Sequence, residues 1–182
     1  TASGSGSAAT IDTALNTNGS STDVLTLTLD AESVAASVLT SLDGKTSVAL
    51  GAGSVTTHTG SLAEVKAVVD AGARITTNAA YAATISDANG TALTATDLSA
   101  VGGDTTGTVT VTNAVAISGA ASEVTAALVT PLTKVTATTA TVTITDAIAD
   151  YDALDDILGV AGNVTASGSG SAATIDTALN TN

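Results

Sequence analysis

The first eighteen residues, Thr1–Asn18 (TASGSGSAATIDTALNTN), recur without a single change at Thr165–Asn182. An identity of that length is not chance, even in a chain rich in Ala, Ser and Thr. It marks the two ends as the same piece of a repeat, offset by 164 residues. Internal repetition constrains a fold more than any other sequence feature, because each copy must find the same neighbours. The chain therefore reads as one full period of a tandem array, residues 1–164, followed by the start of the next, 165–182.

A shorter, degenerate repeat lies inside the long one. Units start near Ala9, Ser33, Ser61, Thr91, Ala121 and Ile148, and the next copy's first unit at Ala173, at spacings of 24, 28, 30, 30, 27 and 25 residues. Each opens on a helical pattern and continues into one or two β-rich stretches. In the first, Ile11 and Leu15 stand at i, i+4, and DVLTLTLD then alternates Leu25, Leu27 and Leu29 with Thr, the mark of a strand with one buried face. The second places Val34, Val38, Leu39 and Leu42 on one expected helical face, with Gly44 as its end. In the third, Ser61 and Glu64 have the spacing of a capping box and Gly72 closes the helix. In the fifth, Ser122 is the expected cap and Pro131 the stop.

Helix-then-strand units of this length point to an α/β fold in the form of a superhelical solenoid, about six units per period. No unit buries a core alone, and stacked units share one. Strands of successive turns would pair in parallel ladders about 4.8 Å apart, while packed helices need about 8–10 Å. The helices are therefore expected on the wider, convex side. The alternative is a discrete β-rich α+β domain repeated as beads.

Composition narrows the function. The chain is 44% hydrophobic but has no Phe, Trp, Met or Cys, and its only aromatics are Tyr81 and Tyr151. Burial must come from Val, Ile, Leu and Ala, which suits thin stacked layers. The net charge of −13, with only Lys45, Lys66, Arg74 and Lys134 positive, excludes the basic footprint that nucleic acid requires and disfavours anionic membrane surfaces. No apolar run approaches the roughly 20 residues of a membrane helix. Without cysteine there is no disulfide. An initiator Met and a signal peptide would lie upstream if the chain is an excerpt.

The stretch TALTATDLSAVGGDTTGTVTVTNAVAISGAASEVTAAL, Thr91–Leu128, is similar to repeats of the giant cell-surface proteins of marine bacteria, of the cyanobacterial swimming-motility type. The resemblance runs over the short units and so over most of the chain. It implies a very long, repetitive, extracellular polypeptide, a fibre or tandem-repeat adhesin, and carries over no functional residue. The large repetitive adhesins of Gram-negative bacteria share the plan of near-identical modules in series, although theirs are usually Ig-like and calcium-bound.

The candidate sites are few. Asp146, Asp150, Asp152, Asp155 and Asp156 form an acidic cluster in TDAIADYDALDD. Calcium takes six to eight oxygens and is the one candidate cofactor, although the spacing matches no EF-hand and a helix start enriched in Asp reads equally well. Asp87, Asn89 and Asp97 are a weaker group in a turn. His58, the only histidine, has no second ligand for a transition metal and reads as an exposed or strand-end residue. The SGSGS runs follow no phosphate-binding pattern and read as turns or flexible edges. Asn18, Asn89 and Asn163 head glycosylation sequons. Thr alternation in LTLTL, TVTVT and TVTIT suits either plain strands or an ordered-water surface.

The sequence thus favours a non-enzymatic structural protein, one period of an extracellular fibre, surface layer or adhesin stalk. Its implied partner is itself: the next period, with lateral bundling of fibres as an extension. The alternative is a module binding carbohydrate or ice on a Thr-rich surface. An enzyme such as a solenoid lyase would need basic residues beside clustered carboxylates, and four scattered ones do not supply them.

Overall fold

A computed structural model describes residues 2–133, 135–169 and 171. The described residues form a mixed α/β protein of six α-helices and thirteen strands. The strands lie in three sheets, and every pairing described below is parallel. A parallel pair needs a crossover connection, commonly a helix, and the alternation of helical and β-rich stretches in this sequence supplies one. The chain divides into two compact units, Thr1–Ile85 with Asp104–Thr108, and Ser86–Gly103 with Val109–Asn182.

The first unit runs β1 (Ala2–Gly6), α1 (Ala8–Leu15), β2 (Leu25–Leu29), β3 (Ser33–Ala35), α2 (Ala36–Asp43), β4 (Leu50–Ala52), β5 (Thr57–Gly60), α3 (Leu62–Ala71), β6 (Ile75–Thr77) and β7 (Ala82–Ile85). One sheet has the order β1-β2-β4-β6, and β5 pairs with β3 on one side and β7 on the other. The register sets like beside like. Leu50 faces Ile75, and Val34, His58 and Ala83 form one rank across three strands. On β2, Leu27 and Leu29 are buried while Thr26 and Thr28 are exposed, as the alternation predicts. α2 contacts both α1 and α3, and covers the sheet with Ala36, Leu39 and Leu42. Val34 belongs to β3 and not to the helix predicted from Ser33. Its side chain is buried from the strand, and the helix begins only at Ala36.

The second unit runs β8 (Ala92–Thr94), α4 (Ala95–Asp104, its last residue grouped with the first unit), β9 (Val109–Val111), β10 (Ala116–Gly119), α5 (Ala121–Leu128), β11 (Val135–Thr136), β12 (Thr141–Ile148), α6 (Tyr151–Val160) and β13 (Asn163–Gly168). One sheet has the order β8-β10-β12-β13. Its central rank is Leu93, Ile117, Val142 and Val164. β9 pairs with β11 through Val109 and Val135. The β12–β13 register shifts between Thr143 and Ala147.

The core is mainly aliphatic, with Tyr81 and His58 also fully buried. Leu39, Leu42, Leu50, Val65, Leu98, Val109, Val124 and Ile157 are all fully buried. Two glycines are required by backbone proximity. A Cβ on Gly107 would fall 2.1 Å from the Tyr81 carbonyl oxygen, and one on Gly102 would fall 2.1 Å from that of Thr133. No helix among the described residues is long and apolar enough to cross a membrane.

Candidate functional site

The polar side chains of the described residues divide between local contacts such as helix caps and contacts between segments 21 to 33 residues apart. A helix N-terminus leaves backbone N–H groups without an intrahelical partner and attracts negative charge. At α1, Ser7 accepts from Thr10 N at 3.2 Å, and Glu32, 24 residues further on, accepts from Ala8 N at 2.5 Å. At α3 the predicted capping box is complete, with Ser61 Oγ accepting from Glu64 N and Glu64 Oε2 accepting from Ser61 N at 2.8 Å. At α5 the cap position is Ala120 and not Ser122, which sits inside the first turn. Alanine has no oxygen to offer, so half of the box is missing. Glu123 accepts from Ala120 N at 2.8 Å, and Asp146, from the next turn, accepts from Ala121 N at 2.7 Å.

That geometry defines what the acidic cluster does. Asp146 caps α5, and Asp150 caps α6 by accepting from Asp152 N and Ala153 N at 3.1 and 3.3 Å. Asp152 lies in the first turn of α6, and Asp155 and Asp156 further along it. Among the described residues no three acidic, His or Cys side chains converge to hold a metal ion. Of the weaker group, Asp97 accepts from the Thr94 hydroxyl at 2.7 Å at the start of α4. Asn89 Oδ1 accepts from Ala114 N, and the Asp87 carbonyl accepts from Asn113 Nδ2 at 2.7 Å, both across to the next turn. Asn18, Asn89 and Asn163 are all exposed, with Asn163 opening β13.

Two of the basic residues, Lys45 and Arg74, also link distant segments. Lys45 Nζ lies 2.7 Å from Asp12 Oδ1 of the preceding turn. This contact, foremost among its influences, holds the Asp12 carboxyl below its usual range. Arg74 pairs with Asp43 at 2.9 Å and donates to the carbonyls of Thr46 and Ser47. Lys66 pairs with Asp70 along α3. Lys134 lies outside the described residues.

Two buried threonines were not legible as functional in the sequence. Thr46 donates its hydroxyl to the Leu25 carbonyl at 2.7 Å and accepts from Val48 N at 3.0 Å. Thr105 repeats the motif, donating to the Tyr81 carbonyl at 2.5 Å and accepting from Gly107 N at 2.9 Å. Each satisfies backbone groups that regular pairing leaves over where a helix hands on to a strand. The only sequence signal is position: a Thr two or three residues after a Gly at a helix end.

His58 is not exposed, correcting the expectation. It is fully buried within β5, between Val34 and Ala83, because strands flank β5 on both sides. Its ring stacks on Tyr81 with centroids 4.0 Å apart and planes 21° from parallel. The Tyr81 hydroxyl donates to Asp104 Oδ2 at 2.9 Å. Neither imidazole nitrogen has a hydrogen-bond partner. Burial pushes the His58 pKa down to about 4, against a weaker opposing pull from the Asp104 charge. Burial first, then Asp104, raises that of Tyr81. The imidazole is thus neutral, unsolvated and out of reach of a substrate, a poor general base.

Three surfaces remain. An open groove of about 450 Å³ between α5 and α6 has Asp146 and Asp150 as its charged groups, both already used as caps. A row of hydroxyls, Thr94, Ser118, Thr143 and Thr165, crosses the β8-β10-β12-β13 sheet. On the first unit's sheet the corresponding row is broken, since Gly51 stands between Thr28 and Thr76. At the end of the first unit, α1, β1 and β2 leave an apolar groove of about 240 Å³. No known protein family, curated protein or solved structure matches this chain.

Proposed function

We propose that the chain is a non-enzymatic structural protein: one period of a tandem array whose helix–strand turns stack as a solenoid, building an extracellular fibre, surface layer or adhesin stalk. The observation that carries this reading is the register. Corresponding residues of successive turns face each other, as in the ranks Val34–His58–Ala83 and Leu93–Ile117–Val142–Val164. Ladders of this kind, extended from period to period, resist extension along the stack through many backbone hydrogen bonds. The acid caps and the Lys45 and Arg74 bridges, each linking neighbouring turns, support the same reading. The acidic surface keeps such an array soluble and apart from nucleic acid.

Electron microscopy of the native, full-length material tests it. A thin filament of continuous density is the expected result, and beads separated by linkers would replace the solenoid with independent domains. A second reading, binding of ordered water or carbohydrate, rests on the hydroxyl row Thr94–Ser118–Thr143–Thr165. The parallel row Ala92–Ala116–Thr141–Asn163 is mixed in chemistry, so the surface offers one line and not a lattice. Ice-shaping and glycan-array assays separate it from the structural reading.

A further inference from the structure

The strands β1 and β13 share the sequence Ala-Ser-Gly, at residues 2–4 and 166–168, as parts of the two identical ends. They use opposite edges. In a parallel sheet both backbone groups of one residue point to one neighbour and those of the next residue to the other. Ala2 N donates to Val24 O, and Gly6 O accepts from Asp30 N. Ala2, Gly4 and Gly6 therefore face β2, and Ser3 and Ser5 face the outer edge of β1, the end strand of its sheet. In β13, Asn163 N donates to Ala140 O, which turns Asn163 and Thr165 toward β12. The register shifts on β12 after Thr143, while β13 runs on as one strand to Gly168, so the same alternation sets Ser167 toward β12, opposite Ala147. Ser167 is the repeat equivalent of Ser3.

The two sets of contacts are thus complementary and do not compete. We propose that this one strand is the joint between periods, with β12 on its Ser edge and β2 of the following period on its Ala/Gly edge. The outer edge of β1 is accordingly the docking site for a preceding copy of Thr141–Val160, which carries β12 and α6. This rests on the array reading and makes it specific.

The side chains agree with the ladder. The groove beside β1 is lined by Ile11, Ala14 and Leu15 of α1, Leu25 and Leu27 of β2, and the bare backbone of Gly4. It is the open end of the core. In the array the turn before α1 is the one that holds α6. On α6, Leu154 and Leu158 stand at i, i+4 on one face; Leu154 is half-buried and Leu158 is 45% exposed. A preceding α6 lays these two leucines over the groove while its β12 adds to the sheet. The joint strand consists of Ala, Ser and Gly because its side chains lie where two turns meet over a single short strand.

The test compares the 182-residue chain with a chain of two periods sharing one joint. In the single chain, amide hydrogen exchange at Ser3 and Ser5 is fast, at least about tenfold faster than at Ala2, Gly4 and Gly6. In the two-period chain the Ala166 and Gly168 amides of the joint strand become as protected as that of Ser167, and the two periods unfold together. Ser3→Pro in the single chain leaves the melting temperature unchanged, since its N–H faces the open edge. The equivalent Ser167→Pro in the two-period chain uncouples the periods. Two independent transitions, with the joint amides still exchanging fast, would overturn the joint. Stacking within a period would then survive as protection at Val34, His58 and Ala83, and its absence in the single chain would overturn the array reading instead.

Discussion

The two units solve the same problem with different materials. In the second, the central rank of the sheet is aliphatic from end to end: Leu93, Ile117, Val142 and Val164. In the first, the rank Val34–His58–Ala83 carries an imidazole with no hydrogen-bond partner, roofed by Tyr81. The ladder is indifferent to the change, because it is made of backbone. The core is not: His58 is buried there with neither ring nitrogen partnered, and Tyr81 stacks over its ring. The lesson is that backbone pairing sets which residues face each other, while the side chains at those positions set how much each unit gains from burial. Side chains decide how each turn responds to its surroundings.

The largest effects should come from the aliphatic core of each unit. Leu42→Ala in the first unit and Leu98→Ala in the second remove fully buried side chains and should each cost about 2–5 kcal/mol. Hydrogen exchange should show the loss concentrated in the unit that carries the change. If both units lose protection equally, they are energetically one body and the contrast between them fails.

Acid should then separate the units. The unfolded chain's imidazole takes up its proton near pH 6.5, while His58 in the fold resists it down to about pH 4. The unfolded state binds the proton first, so His58 leaves stability whole above pH 6.5 and withdraws it as the pH falls from 6.5 to 4. The loss approaches about 3 kcal/mol at the lower end. Asp12, whose carboxyl sits below its usual range beside Lys45, adds a further loss only below its unfolded value of 3.8. Equilibrium urea unfolding at a series of pH values measures this, and His58→Leu should flatten the curve between 6.5 and 4. A curve that stays steep in that variant would place the titrating group elsewhere.

Smaller effects sharpen the comparison. Gly107→Ala presses a methyl group on the Tyr81 carbonyl in the first unit, and Gly102→Ala presses one on that of Thr133 in the second. Each should cost about 1–3 kcal/mol in thermal unfolding, with Gly107→Ala also disturbing the His58–Tyr81 stack in the imidazole NMR shifts. Smallest are the caps. Glu32→Gln and Asp146→Asn weaken one charged contact to a helix N-terminus in each unit, at about 1 kcal/mol or less. Equal losses would show that the two units share this stitching even though their cores differ.

Local chemistry was legible and long-range chemistry was not. The box at Ser61 and Glu64 was readable because its partners lie three residues apart. The alternation of Leu27 and Leu29 with Thr26 and Thr28 was readable because a strand's two faces repeat every second residue. Val34 was misread as helical because an apolar residue two places before a helix fits either period. Asp146 was read as a metal candidate because its true partner, Ala121 N, lies 25 residues back. Thr105 and Thr46 carried no local signal for the same reason, since the carbonyls they donate to lie 24 and 21 residues back.

By itself the sequence determined the identity of its two ends, the alternation of helical and β-rich stretches, and a mostly aliphatic set of apolar residues without cysteine. These follow from identity, periodicity and composition, which need no knowledge of neighbours. It did not determine β1, in a run read as a turn, or β3 and β8, in stretches read as helix starts. Only the tertiary structure decided the rest. It set which strand edges meet, and it placed His58 under Tyr81 and Tyr81 against Asp104. It also placed Asp146 and Asp150 at the N-termini of α5 and α6, where they accept from backbone N–H groups. Apart from the local Asp150 cap, each of these depends on register between turns, and a shift of one residue would turn every side chain to the opposite face.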